Sequence, residues 1–265
     1  DMYRTVRGTD WSVERGDTDE QRDERGGDDE LHQSVVELLC ARQTAMERDV
    51  ETDWVEERFY QELGEYARGQ GDFRAAEWLF RLSLTRSRRR ENDHGVAVSL
   101  HALGGVARMR GDFDKAEKCL KECGEKLEKT ADASDLAAVL HSLGNVALQR
   151  GEFTKAEQYH ERSLSINQEI GDRSGEAKSL QSLGNIALQQ GEFTEAEQYH
   201  DRGLSINQEI GDRSGEVNSL HSLGIIAAER GEFTEAEQHH DRSLSINQEI
   251  GDRSGESKSL HSLGI

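Results

Sequence analysis

The chain has 265 residues, 34 % apolar and 6 % aromatic with no proline, too lean for one large core but suited to uninterrupted helices in thin layers. Its formal net charge is −20. A nucleic-acid or anionic-membrane surface needs clustered Lys and Arg against phosphates, so neither partner is expected.

Arg outnumbers Lys 25 to 8. An acidic, Lys-poor surface suits a salt-rich, halophilic cytoplasm in which ions screen self-repulsion; an ordinary acidic adaptor from a GC-rich genome has the same composition. No run approaches 18 apolar residues and no signal peptide is visible, so a cytoplasmic location is expected. The three cysteines, Cys40, Cys119 and Cys123, make no disulfide framework. Cys119 and Cys123 share a helix face, but two thiols are half a zinc site, and buried small side chains are the simpler reading.

Residues 1–30 contain ERGDTDEQRDERGGDDE and almost nothing apolar, which predicts an acidic disordered segment. Residues 31–50 have helical spacing through Val35, Val36, Leu38, Leu39 and Met46 and read as a degenerate N-terminal capping helix. From residue 51 to 265 the chain repeats itself every 40 residues. SINQEIGDRSGE stands at 165–176, 205–216 and 245–256; Gly64, Gly104, Gly144, Gly184, Gly224 and Gly264 are in step. A fixed period of this size means a stacked array rather than a single core: about five units and the first helix of a sixth, truncated.

Each unit predicts two helices of about 17 residues. In helix A, Leu136, Leu140, Leu143 and Ala147 recur at spacings of four, three and four and share one face. Gly151 ends it in the left-handed conformation, and Glu152 brings negative charge to the start of helix B. Helix B carries two apolar stripes, Phe153, Ala156 and Leu164 on one side, Tyr159, Ile166 and Ile170 on the other, so it must be covered from both sides. Gly171 ends helix B and Asp172 caps the next helix A.

These positions resemble the tetratricopeptide repeat. Tyr60, Leu63, Gly64, Ala67, Ala76 and Phe80 carry its W-x2-L-G-x2-Y…A-x3-F pattern in the first unit, Leu100, Leu103, Gly104, Ala107, Ala116 and Leu120 in the second, and Leu140, Leu143, Gly144, Ala147 and Ala156 in the third. His160, His200 and His240 stand where the family usually has an aromatic. The unit is 40 residues rather than 34 and lacks the late Pro, similar to Pins-type adaptors. The resemblance implies an all-α, right-handed α-solenoid of antiparallel helix pairs whose concave wall, lined by helix A, holds an extended peptide or a partner helix.

On that wall the register places His101, then His141, Asn145, Leu148 and Gln149, then Gln181, Asn185 and Gln189, then His221. Asn side chains in a column both donate to and accept from a peptide backbone, holding a segment without reading its sequence. The column is interrupted at Gly105 and Ile225, so a clamp centres on Asn145 and Asn185. His101, His141, His221 and His261 form no metal site, because successive A helices stand 8–10 Å apart while ligands gather about 2 Å from one ion. Acidic pairs recur with the unit as solvated surface, and no catalytic constellation or cofactor loop is present. The expected function is a non-enzymatic scaffold or adaptor for a protein or peptide, the alternative a sensor or regulatory arm of a larger signalling or transcription-control protein. Self-association through an uncapped C-terminal end is a further expectation.

Overall fold

The structure is a computed structural model and describes residues 53–130 and 132–263; the segments expected over 1–30 and 31–50, and Cys40, lie outside the described residues. Among the described residues there are eleven α-helices and no strand: α1 (Asp53–Gly69), α2 (Phe73–Arg89), α3 (Asp93–Met109), α4 (Phe113–Thr130), α5 (Ala133–Gln149), α6 (Phe153–Ile170), α7 (Arg173–Gln190), α8 (Phe193–Ile210), α9 (Arg213–Glu229), α10 (Phe233–Ile250) and α11 (Arg253–Leu263). Odd-numbered helices are the A helices, even-numbered ones the B helices.

Local chemistry sets the boundaries. Asp172 and Asp212 accept the Gly175 and Gly215 amides at 3.0 and 2.9 Å, capping α7 and α9. Glu152 begins α6 without a side-chain cap bond and contributes its charge alone. Gly151 at φ 75 turns the chain out of α5, and Gly171 at φ 73 does so after α6. The first B helix ends differently, because Glu91 occupies the position held by Gly171, Gly211 and Gly251 and adopts φ 56. A left-handed L-residue costs roughly 1–2 kcal/mol, so Glu91→Gly is expected to stabilise the chain by about 1 kcal/mol, read as a higher urea midpoint.

Within a pair the helices touch through the in-step glycines. A Cβ on Gly144 would lie 2.5 Å from His160 Nε2, one on Gly184 2.7 Å from His200 Nε2, and one on Gly64 2.6 Å from the Phe80 ring. Leu140, Leu143 and Ala147 are buried as their spacing requires. Each B helix also packs on the following A helix, so the layers form one continuous solenoid. Successive A helices touch one another, whereas the B helices stand further apart. The A row therefore lines the inner side of the curve.

Two features of the seam between units differ from the expected apolar stripes. Ile170 is 43 % exposed, as are its equivalents to similar degree, so the stripe through Tyr159 and Ile166 fades before α6 ends. Between the stripes runs a buried polar ladder. Ser163 donates to the Ala137 carbonyl at 2.9 Å, Ser179 bonds Ser163 at 3.2 Å, and Asn167 donates to Ser179 at 3.3 Å. Ser83 with Ser99 (2.9 Å) and Ser243 with Ser259 (3.1 Å) repeat the contact. Satisfied polar groups of this kind cost little and fix the register of one unit on the next.

Ion pairs close the edge of the seam. Arg150 reaches back to Glu117 at 2.7 Å and to Asp114, and Arg110 and Arg230 do the same to Glu77 (2.6 Å) and Glu197 (2.7 Å). Cys123 is fully buried, donates to the Ala97 carbonyl at 3.1 Å, and has its thiol pushed up to about 12 by burial, as expected of an inert packing residue.

Candidate peptide groove

The inner wall is built from the outward edge of the A helices. Leu143, Val146 and Ala147 anchor α5 in the core; Asn145, two residues from both Leu143 and Ala147, comes round to the opposite edge, and Gln149, four residues on from Asn145, follows it on the same stripe. Asn145 is half-buried and Gln149 exposed on α5; Gln181 and Asn185 are half-buried and Gln189 exposed on α7. Asn145 and Asn185 hold equivalent positions one unit apart, on helices that touch.

The remaining wall residues face elsewhere in part. Leu148 packs with Ala147, Ala156 and Ile186 and so belongs to the edge of the core. His101 spends Nε2 on Ser142 Oγ at 2.8 Å, tying α3 to α5. His141 lies edge-on to His160, ring centroids 4.9 Å apart, with Nδ1 buried and without a hydrogen-bond partner, and His221 meets His240 at 5.5 Å. These imidazoles act between helices rather than as a free row of ligands. Burial pulls each of the three below the ordinary histidine value. Nearby Lys178 and Arg108 add to the effect at His141, so the wall carries cations within an acidic chain.

One cluster was invisible in the sequence. His94, Asp132 and Asp135 place three metal-capable atoms within 4.8 Å of one another. Asp132 is engaged as the α5 cap, accepting the Asp135 amide at 3.2 Å, and the helix dipole there favours anions. The buried histidines fit the family register: His160 and His200 are fully buried and His240 is 4 % exposed. What sequence spacing missed is that both ring nitrogens of His160 and His200 have no hydrogen-bond partner. Burial lowers them to about 3 and about 4.

Tetratricopeptide-repeat profiles match residues 57–128, 135–209 and 217–250, so the chain belongs to that family. No curated protein sequence matches it. Among solved structures it is similar to BtubC from P. vanneervenii, at 20 % identity and a TM-score of 0.73 over 86 % of this chain and 93 % of that one. It is also similar to aspartyl phosphate phosphatase F from Bacillus subtilis, at 14 % identity and a TM-score of 0.75 over 83 % of this chain, spanning 58 % of that one. A signal-transduction ATPase with a tetratricopeptide repeat sensor from Pyrococcus horikoshii aligns at 14 % identity and a TM-score of 0.63, over 87 % of this chain and 38 % of that protein. At these identities the likeness is one of fold. No helix among the described residues is long and apolar enough to cross a membrane.

Proposed function

We propose that this array binds an extended peptide segment of a partner protein along its inner wall, with the amides of Asn145 and Asn185 bonding the peptide backbone and Gln149, Gln181 and Gln189 flanking them. The observation that carries this is the pair of half-buried Asn side chains at equivalent positions on two touching helices. An amide both donates and accepts, so two in register match the alternating groups of an extended strand. The partner is a protein because this fold presents a long solvent-facing wall rather than a closed pocket.

The test is selection of peptides from a random library on the full chain. Loss of two backbone hydrogen bonds, about 1 kcal/mol each, predicts roughly 10- to 100-fold weaker binding to Asn145→Ala/Asn185→Ala. N-methylation of the selected peptide's central amides should weaken binding to the parent by a similar factor. Peptides held equally by parent and variant would place the site elsewhere. A second reading, a sensor arm reporting peptide occupancy to an effector in a longer chain, is favoured by the fold shared with the repeat sensor of the Pyrococcus ATPase. It uses the same wall and predicts that peptide binding changes the activity of an attached domain.

A further inference from the structure

The outward ridge of α2 departs from every later unit. Arg74, Trp78, Arg81, Thr85, Arg88 and Arg89 follow one another at helical spacing and are all exposed, Trp78 by 50 %. They form one stripe about 22 Å long. The same positions on α8 are Thr194, Gln198, Asp201, Ser205, Gln208 and Glu209. The ridge thus changes from four arginines to two acids along a chain of net charge −20.

Internal partners leave positive charge over. Arg88 pairs with Glu122 at 2.6 Å, and Arg81 with Glu77 at 2.8 Å, but Glu77 is also held by Arg110 and Lys115. Arg74 and Arg89 make no ion pair among the described residues. Complementing the helix dipole accounts for Arg88 and Arg89 in the last turn. It does not account for Arg74, which stands in the first turn where a cation is unfavourable, nor for Trp78 between the charges.

We infer that the α2 ridge is a docking surface for the chain's own acidic segment, residues 16–30 (GDTDEQRDERGGDDE), which has eight acidic residues against two arginines. The charges are complementary, and the occupant is tethered. The 22 residues between this segment and α1 reach up to about 75 Å when extended, several times the length of a 17-residue helix. Tethering gives an effective concentration on the order of millimolar. A duplex, an anionic membrane or a second copy has no tether and must approach against the −20 charge of the whole chain. The contact is a strap across the outside of the first unit, separate from the Asn145–Asn185 wall, and salt loosens it.

The test uses the full chain and the variant Arg74→Thr/Trp78→Gln/Arg81→Asp/Arg89→Glu, which installs the residues α8 carries at those positions. Trypsin cleavage after Arg22 and Arg25, followed by mass spectrometry in 0.1 M NaCl, should be at least five-fold faster in the variant, with the difference closing at 1 M NaCl. Circular dichroism verifies that helix content is unchanged. A second measurement keeps the ridge intact: in a chain with Trp11→Phe and Trp54→Phe, Trp78 emission should shift to longer wavelength on adding 1 M NaCl. It should already be shifted when the acids of 16–30 are replaced by Asn and Gln. Equal cleavage rates in parent and variant at low salt, or a Trp78 emission indifferent to salt and to those replacements, would overturn the proposal.

Discussion

Replacing His160, His200 and His240 together by Phe is expected to raise the urea midpoint at every pH and to move the acid-unfolding midpoint down by about one pH unit or more. Three facts lead there. The rings are buried, His160 and His200 have no hydrogen-bond partner on either nitrogen, and His240 has none on Nδ1. Leaving buried polar atoms unbonded costs about 1–3 kcal/mol each, a cost a phenyl ring does not carry. The shape is already accepted by the fold, since Phe80 occupies the equivalent position against Gly64 with the same close approach.

The pH dependence follows from the direction of the shifts. Burial lowers His160 to about 3 and His200 to about 4; at His240 burial acts first, His221 and His239 add to it, and Asp241 opposes it. The unfolded chain titrates near 6.5 and binds protons the folded chain refuses. Stability is therefore complete above pH 6.5 and is lost as pH falls toward 4 and then 3. At pH 5 each of His160 and His200 withdraws about 2 kcal/mol. The carboxylates act in a lower window. Burial raises Glu77, but Lys115, Arg81 and Arg110 outweigh it, while hydrogen bonds from Lys121 and Lys155 lower Glu117. Both titrate below 4.5 and lose their contribution only there. Circular dichroism from pH 8 to 3 separates the windows, and coincident acid midpoints for parent and variant would show that the rings are hydrated in solution.

The histidine register was legible in the sequence because a 40-residue period aligns His160 with Phe80, and the pairing of helices followed from Leu and Ala at spacings of three and four. Capping at Asp172 and Asp212 was legible for the same reason: the residue types recur with the turn. Other features were hidden because periodicity reports which face is apolar, not what a polar residue meets. Ser163, Asn167 and Ser179 read as ordinary polar helix positions, yet they are buried and bonded across the seam. His101 and His141 lie on the predicted wall stripe, but their rings turn into the joint between helices, which depends on rotamers no spacing rule gives. The basic ridge of α2 was concealed by averaging, since a net charge of −20 describes the whole chain and not its first B helix.

Gly144→Ala is expected to destabilise the array by about 2–3 kcal/mol, although alanine is the better helix former by about 1 kcal/mol. The added Cβ would stand 2.5 Å from His160 Nε2, and His160, fully buried, has nowhere to retreat. Gly105 is the matched control. It lies in the middle of α3, where a Cβ would meet only Arg68 Nη1 at 3.5 Å, so Gly105→Ala is expected to stabilise by about 0.5–1 kcal/mol. The same chemical change thus has opposite signs at two glycines on successive A helices, decided by whether a B helix lies against the site. Because neighbouring units stabilise one another, the damage should spread: hydrogen exchange ought to quicken in α5 and α6 first and then in α4 and α7. Coupling to the clash is read from a double-mutant cycle, in which the Gly144→Ala penalty should largely vanish once His160→Ala has opened the space. A penalty that persists unchanged in that background would mean that close approach to His160 is not what requires glycine at 144.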